Sequence, residues 1–186
     1  MNTKLTFVSL AALALASCQQ AGAQGADAAI QTTVDRIAIE DMVTKYYANL
    51  GGGDAHAFDE YFTEDAVFDV NGIVANGREE ISGIYDGLGE DETSATAPAG
   101  TFHMILSNPV IEINGNEATA SFIWTGVRNA SIDEPPVLAE QGREYDKLVK
   151  VDGRWLFTHR VVVADSALPA SMKATYTERR DFKFSE

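Results

Sequence analysis

The sequence predicts an α+β fold in which helices pack on one face of a curved antiparallel sheet. Three observations lead there. Apolar residues recur at spacings of three and four in the segments before Leu88, the spacing changes to two from Thr101 onward, and Asn-Gly and Asp-Gly pairs fall between the alternating runs where hairpin turns belong. Helices first and paired strands afterwards is the α+β order.

The elements follow in chain order. Met1-Asn2-Thr3-Lys4 and the apolar run Leu5–Ala16 form a short basic start and a hydrophobic stretch too short to span a bilayer, the pattern of a secretory signal. Leu15-Ala16-Ser17-Cys18 resembles the lipobox of bacterial lipoproteins, and Cys18 is the single cysteine of the chain. Residues 1–17 are thus expected to be a cleaved leader and Cys18 to carry lipid. Gln19 stands where an inner-membrane retention signal would resemble Asp, which points to the outer membrane, with the protein facing the periplasm. Each buried acyl methylene adds about 0.8 kcal/mol to such an anchor. One cysteine leaves no intramolecular disulfide in that oxidising compartment. Residues 18–30, rich in Ala, Gln and Gly, read as the lipidated cysteine and a flexible tether.

A domain over 31–166 follows, then a C-terminal extension, 167–186. Within the domain, Ile39, Met42, Val43, Tyr46 and Leu50 make an apolar stripe over Thr33–Leu50, with Thr32 or Thr33 as cap and Gly51-Gly52-Gly53 as terminator. Asp54 caps a short second helix carrying Phe58 and Phe62. Ala66–Val70 and Ile73–Ala75 are strands joined at Asn71-Gly72. Gly77–Leu88 is a third helix and 89–100 a loop. Phe102–Ile113 and Ala118–Arg128 form a hairpin about Asn114-Gly115; 129–137 is a loop; Ala139–Val151 and Trp155–Ala164 form another about Asp152-Gly153. Phe68, Phe122, Trp155 and Phe157 are the expected core.

The chain carries 28 acidic residues against 14 basic ones, a formal charge of −14, and removing the leader takes away one base, Lys4, and no acid. A surface of that sign repels phosphate backbones, so nucleic acid is not an expected partner. The acids are scattered, as on a solvated surface. His56, His103 and His159 lack metal-ligand spacing, no glycine pattern matches a phosphate loop, and no nucleophile elbow supports a serine triad. No metal or cofactor is expected.

Six phrases in order, Ala38-Ile39 to Lys45-Tyr46-Tyr47, Phe62-Thr63-Glu64-Asp65-Ala66-Val67-Phe68, Gly77-Arg78-Glu79-Glu80-Ile81, His103 to Asn108-Pro109, Asn114-Gly115-Asn116-Glu117-Ala118, and Gly142-Arg143 to Trp155, resemble the SnoaL-like branch of the NTF2-like superfamily over residues 32–165. The resemblance implies a cone closed by helices around a deep, mostly apolar pocket, often in homodimers. Dehydratases, isomerases, cyclases, binding proteins and non-catalytic subunits all share that fold, so it does not choose a function.

Three residues are candidates for chemistry. Tyr46, on the apolar stripe, can donate to a substrate oxygen; scytalone-dehydratase-like and bile-acid-dehydratase-like enzymes use a tyrosine at the matching place. The latter also have an acid where Gly51 stands here. His103 alternates with Ile105 and Ser107 and is either an acid–base group in the pocket, as in scytalone-dehydratase-like proteins, or a structural histidine. The second histidine of that machinery is absent; Phe122, Trp124 and Gly126 occupy the corresponding face. Glu144, whose pKa a pocket would raise, is the third candidate. Asp146, His159, Phe122 and Trp124 are expected around the substrate, His159 through its alternation with Trp155 and Phe157. Either acid, Glu144 or Asp146, can instead pair with Arg143, Lys147 or Arg128 at the sheet edge, the reading favoured for Asp146.

The expected function is that of a cofactor-independent lyase or isomerase acting on a small, largely apolar, oxygenated molecule, with His103 moving the proton, Tyr46 polarising the oxygen and Glu144 as a second acid–base group. The alternative is a lipoprotein that binds such a molecule, or a partner, without turnover. The mechanism depends on strand parity: His103 and Glu144 on opposite faces of the sheet would exclude it.

Overall fold

The computed structural model describes residues 8–49, 58, 60–92, 101–179 and 181–184, with side chains over 25–48, 58, 60–86, 101–179 and 181–184. It divides into two units, Met1–Ile37 and Ala38–Glu186. One helix, α1 (Val8–Asn49), begins in the first and ends in the second.

The segment expected to be a tether is therefore helical. Ala and Gln are good helix formers and no proline interrupts them. Thr32 and Thr33 do not cap a helix start; their hydroxyls donate to the carbonyls of Ala28 and Ala29 one turn back. Residues 25–34 are exposed. Cys18 lies within the backbone span of α1, and its side chain is outside the described residues. No helix among the described residues is long and apolar enough to cross a membrane. His56, Gly51 and Asp54 also lie outside the described residues.

The second unit continues with β1 (Phe62–Val70), β2 (Ile73–Asn76), α2 (Gly77–Glu92), β3 (Thr101–Asn114), β4 (Glu117–Asn129), β5 (Val137–Val151) and β6 (Arg154–Ser166). Phe62, expected on a short helix, instead opens β1, while Phe58 is buried in the core. The six strands form one sheet in the order β2-β1-β6-β5-β4-β3; β1 and β6 are parallel and every other pair antiparallel. The turns fall where the Gly-containing pairs predict, with one shift. Asn71-Gly72 and Asp152-Gly153 occupy positive φ, and in the β3–β4 hairpin Gly115 is the first of the two turn residues because Asn114 still pairs with Glu117.

The C-terminal part of α1 buries Ile39, Val43, Tyr46 and Tyr47, and α2 buries Ile81 and Tyr85, in one core with Phe62, Phe68, Phe122, Trp124, Leu148, Trp155 and Phe157. Strand alternation assigns the inner face. Gly126, Trp124 and Phe122 of β4 lie on it with Glu144, Asp146 and Leu148 of β5. The neighbouring strands β4 and β6 require a glycine at 142, where an added Cβ would stand 2.1 Å from Trp124 Cζ2 and 2.3 Å from the carbonyl oxygen of Val163.

Two irregularities decide which side chains turn inward. Asn108, at φ +54°, and Pro109 interrupt pairing between Ser107 and Val110 on the edge strand β3, where a proline costs no interior ladder bond. In β6, Leu148 pairs with Phe157 and Lys147 with His159, so Thr158 is the extra residue of a bulge. Trp155 and Phe157 face inward before it, Arg160 after it.

The extension beyond Ser166 lies against the other face. Tyr176 donates its hydroxyl to the Ala164 carbonyl at 2.8 Å, and Arg179 forms a two-bond pair with Asp69 at 2.7 and 3.0 Å. Phe182 packs on Tyr145, and Phe184 on His159. Val161 and Val163 alternate onto this outer face and are only 1% exposed.

Candidate functional site

Thr44, Tyr47 and Ala48 on the last turns of α1 and Phe102, His103, Met104 and Leu106 on β3 line a cavity of about 380 Å³. Its wall is as polar as it is apolar, with Thr44, Tyr47 and His103 beside Ala48, Phe102, Met104 and Leu106. Tyr47 links this wall to the interior, since its buried hydroxyl donates to Glu144 Oε2.

Behind Tyr47 is a buried charged cluster. Glu144, Asp146 and Arg160 are each 0% exposed. Arg160 Nη2 donates to Glu144 Oε2 at 2.5 Å and to the Tyr47 hydroxyl oxygen at 3.0 Å. Arg160 Nε stands 3.9 Å from Asp146 Oδ1. The guanidinium also lies over aromatic rings, with its carbon 4.1 Å from the Tyr46 centroid and 4.4 Å from that of Phe157. Tyr46 shares a hydrogen bond with the Tyr85 hydroxyl. Both Asp146 oxygens, Glu144 Oε1, Arg160 Nε and Nη1, and Trp124 Nε1 have no hydrogen-bond partner among the described residues.

The electrostatics follow from one cation facing two acids. Burial pushes the Glu144 carboxyl up, against the pull of Arg160 and the Tyr47 hydrogen bond. Burial pushes Asp146 well above the usual carboxylate range; Arg160 opposes this and the charge of Glu144 adds to it. Burial likewise raises Tyr47 well above its ordinary value, with Glu144 reinforcing the shift. Arg160 loses solvation, but the two carboxyls more than offset that and hold it firmly charged. The phenol and the Arg160–Glu144 pair thus make a buried, hydrogen-bonded acid–base unit, in which the Tyr47 hydroxyl proton is directed at Glu144.

The expected triad of Tyr46, His103 and Glu144 is not a site. Met104 pairs with Gly126 and Leu106 with Trp124, both on the inner face, so His103, paired with Val127, puts its side chain on the opposite face from Glu144. It is exposed, although its position borders the cavity. His103, Ile105 and Ser107 do share a face, as their spacing predicts, but Phe102, Met104 and Leu106 form the more apolar set, and burying that set turns the histidine out. The structure thus does not bring His103 together with Tyr46 and Glu144.

Tyr46 is buried and faces the cluster, but Tyr47, its neighbour, borders the cavity. His159 is also misplaced by parity: the Thr158 bulge puts it on the outer face against Phe184, where burial and Lys147 lower its pKa. Phe122 and Trp124 share the inner face with Glu144, as expected, without lining this cavity. Asp146 pairs with none of Arg143, Lys147 or Arg128 but faces Arg160; Arg143 instead binds Asp165 at 2.9 Å. Arg160 itself escapes a reading by period two, because the bulge that turns it inward leaves no mark in the sequence. Tyr47 carries a signal, falling four residues after Val43 and eight after Ile39 on the buried stripe. Among the described residues no three His, Cys, Asp or Glu side chains gather into a cluster fit to hold a metal ion.

The SnoaL-like domain family matches residues 31–161. Comparison with curated proteins gives no match. Among solved structures, the chain is similar to an NTF2-like protein with a cystatin-like fold from Novosphingobium aromaticivorans, at 20% identity over 83% of this chain and 97% of that one, with a TM-score of 0.63. A protein provisionally named a scytalone dehydratase from the same organism is 23% identical over 73% of this chain and 87% of that one, TM-score 0.59. The beta subunit of a provisionally named aromatic-ring-hydroxylating dioxygenase, again from that organism, is 14% identical over 78% and 99%, TM-score 0.61. At these identities the likeness establishes the fold alone.

Proposed function

Because the chain belongs to the SnoaL-like domain family, a fold that serves both turnover and binding, we propose its function from the site: acid–base catalysis, a dehydration or isomerisation, on a small, largely apolar, oxygenated molecule held between α1 and β3. One observation carries this reading: Tyr47 lines the cavity, and its hydroxyl donates to Glu144 and accepts from Arg160 in the buried pair behind it. Tyr47 would face an oxygen of the substrate, Glu144 would exchange its proton, and Arg160 would stabilise charge developing on the phenol oxygen. The name of the scytalone dehydratase relative is consistent with this chemistry.

The test is a thermal-shift screen of steroid- and polyketide-like alcohols and ketones, followed by turnover assays on the compounds that bind. Tyr47→Phe should lower kcat by about 10²–10⁴-fold, the range typical of a lost acid–base group, with KM changed much less. A compound that binds in the cavity and is released unchanged would favour the second reading, a non-catalytic binding protein. What favours that reading is that Glu144, Asp146 and Arg160 are all fully buried and none of them borders the cavity.

The proposal includes export and lipidation at Cys18, supported by the Leu15-Ala16-Ser17-Cys18 pattern, with Gln19 favouring the outer membrane. Cys18→Ala should accumulate as a full-length precursor that takes up no labelled fatty acid. Unlipidated wild-type protein, cut elsewhere, would contradict it.

A further inference from the structure

The buried cluster holds one acid more than Arg160 can neutralise, and the geometry distinguishes the two. Glu144 Oε2 receives two donors, the Tyr47 hydroxyl and Arg160 Nη2. No N–H or hydroxyl donates to Asp146; the neighbour with which it can share a hydrogen bond is the Glu144 carboxyl, to which it can only donate, and its nearest cationic atom, Arg160 Nε, is 3.9 Å away. A carboxylate stripped of water and of hydrogen-bond donors is the costlier of the two to keep charged.

Among the described residues the surroundings of Asp146 offer no other charge. Ala120 stands opposite it on β4, and Phe68 pairs with Arg160 from β1. The titratable groups facing the cluster are Tyr46 and Tyr47 of α1, Tyr85 of α2, Glu144 of β5 and Arg160 of β6. Burial raises all three phenols, so none of them carries charge near neutral pH.

We propose that Asp146 is a neutral carboxylic acid in the working protein and a positioning residue: its retained proton fixes the cluster's single negative charge on Glu144, at the end that meets Tyr47. This rests on the acid–base reading above and says which carboxyl is the base. Tyr47 oxygen takes a proton from a ligand carbon while passing its own to Glu144, and the electron pair of the broken C–H bond forms the new C=C bond. The same path in reverse, Glu144 to Tyr47 to the departing oxygen, completes loss of water as the C–O pair leaves with that oxygen. The cluster ends with the one proton it started with, on Asp146. Had Asp146 been charged instead, Glu144 would already hold the proton and could not accept another.

Infrared spectroscopy of the full, ligand-free protein tests this directly. At pH 7 the wild type should show a protonated-carboxyl C=O band that shifts when aspartate carboxyls are labelled with ¹³C, does not shift when glutamate carboxyls are labelled, and is lost in Asp146→Asn. Absence of the band at pH 7, or a band that follows the glutamate label, would overturn the proposal. The labelled wild type decides the matter even where the variant fails to fold. Because no substrate is needed, the outcome separates the two claims: an aspartate band without turnover by any compound sinks the enzyme reading alone. Tyr47-dependent turnover without the band sinks the role of Asp146 alone.

Discussion

Replacing Arg160 by methionine should destabilise the folded protein by about 3–5 kcal/mol at neutral pH, the range for breaking a buried ion pair from one side. The side chain is 0% exposed and is the only cation facing Glu144 and Asp146 among the described residues. Methionine keeps much of the volume and removes the charge, so Glu144 must either stay ionised without a counter-charge or take up a proton. The sign of the pH dependence follows. A carboxyl whose pKa is raised by folding adds stability below its unfolded value, about 4, and loses that contribution as pH rises through the folded value. Without Arg160 the upward shift of Glu144 grows, so the variant's deficit should be largest at pH 7 and shrink towards pH 4.5. Urea unfolding at the two pH values measures it. A deficit under about 1 kcal/mol, or one equal at both pH values, would mean that Arg160 does not neutralise the cluster.

Trp155→Ala should cost a further large amount, about 3–5 kcal/mol. Trp155 is buried at the start of β6, pairs with Lys150 of β5, and lies inward with Phe157 before the Thr158 bulge. Removing the indole leaves a void that the surrounding core, with β6 held in register against β5, cannot close. Denaturant titration giving a loss under about 1 kcal/mol would put Trp155 on the surface and contradict the β5–β6 register.

Much of this fold is legible in the residues because local chemistry dictates it. Asn71-Gly72 and Asp152-Gly153 adopt positive φ and set hairpins, and the period-two runs between them become strands of nearly the expected length. Glu144 is found by the same parity, because β5 runs regularly through it from Gly142 to Leu148. Parity fails where it is interrupted, or where either face is plausible. One inserted residue, Thr158, exchanges His159 for Arg160 at the core, and no local preference announces it. On β3 the alternation is right and the side is wrong: a histidine read as functional yields to three apolar neighbours whose burial is worth more. The helical start at Thr32 fails for a different reason, since a possible cap does not terminate an Ala- and Gln-rich segment able to continue as helix.

The most direct test of the central claim is a crystal structure of the protein with a compound selected by the thermal-shift screen. The account predicts the compound among Thr44, Tyr47, Met104 and Leu106, with one of its oxygens within hydrogen-bond distance of the Tyr47 hydroxyl and the Tyr47–Glu144–Arg160 contacts intact. A compound bound on the outer face beside His103, or one in the cavity with only apolar atoms against Tyr47, would contradict it.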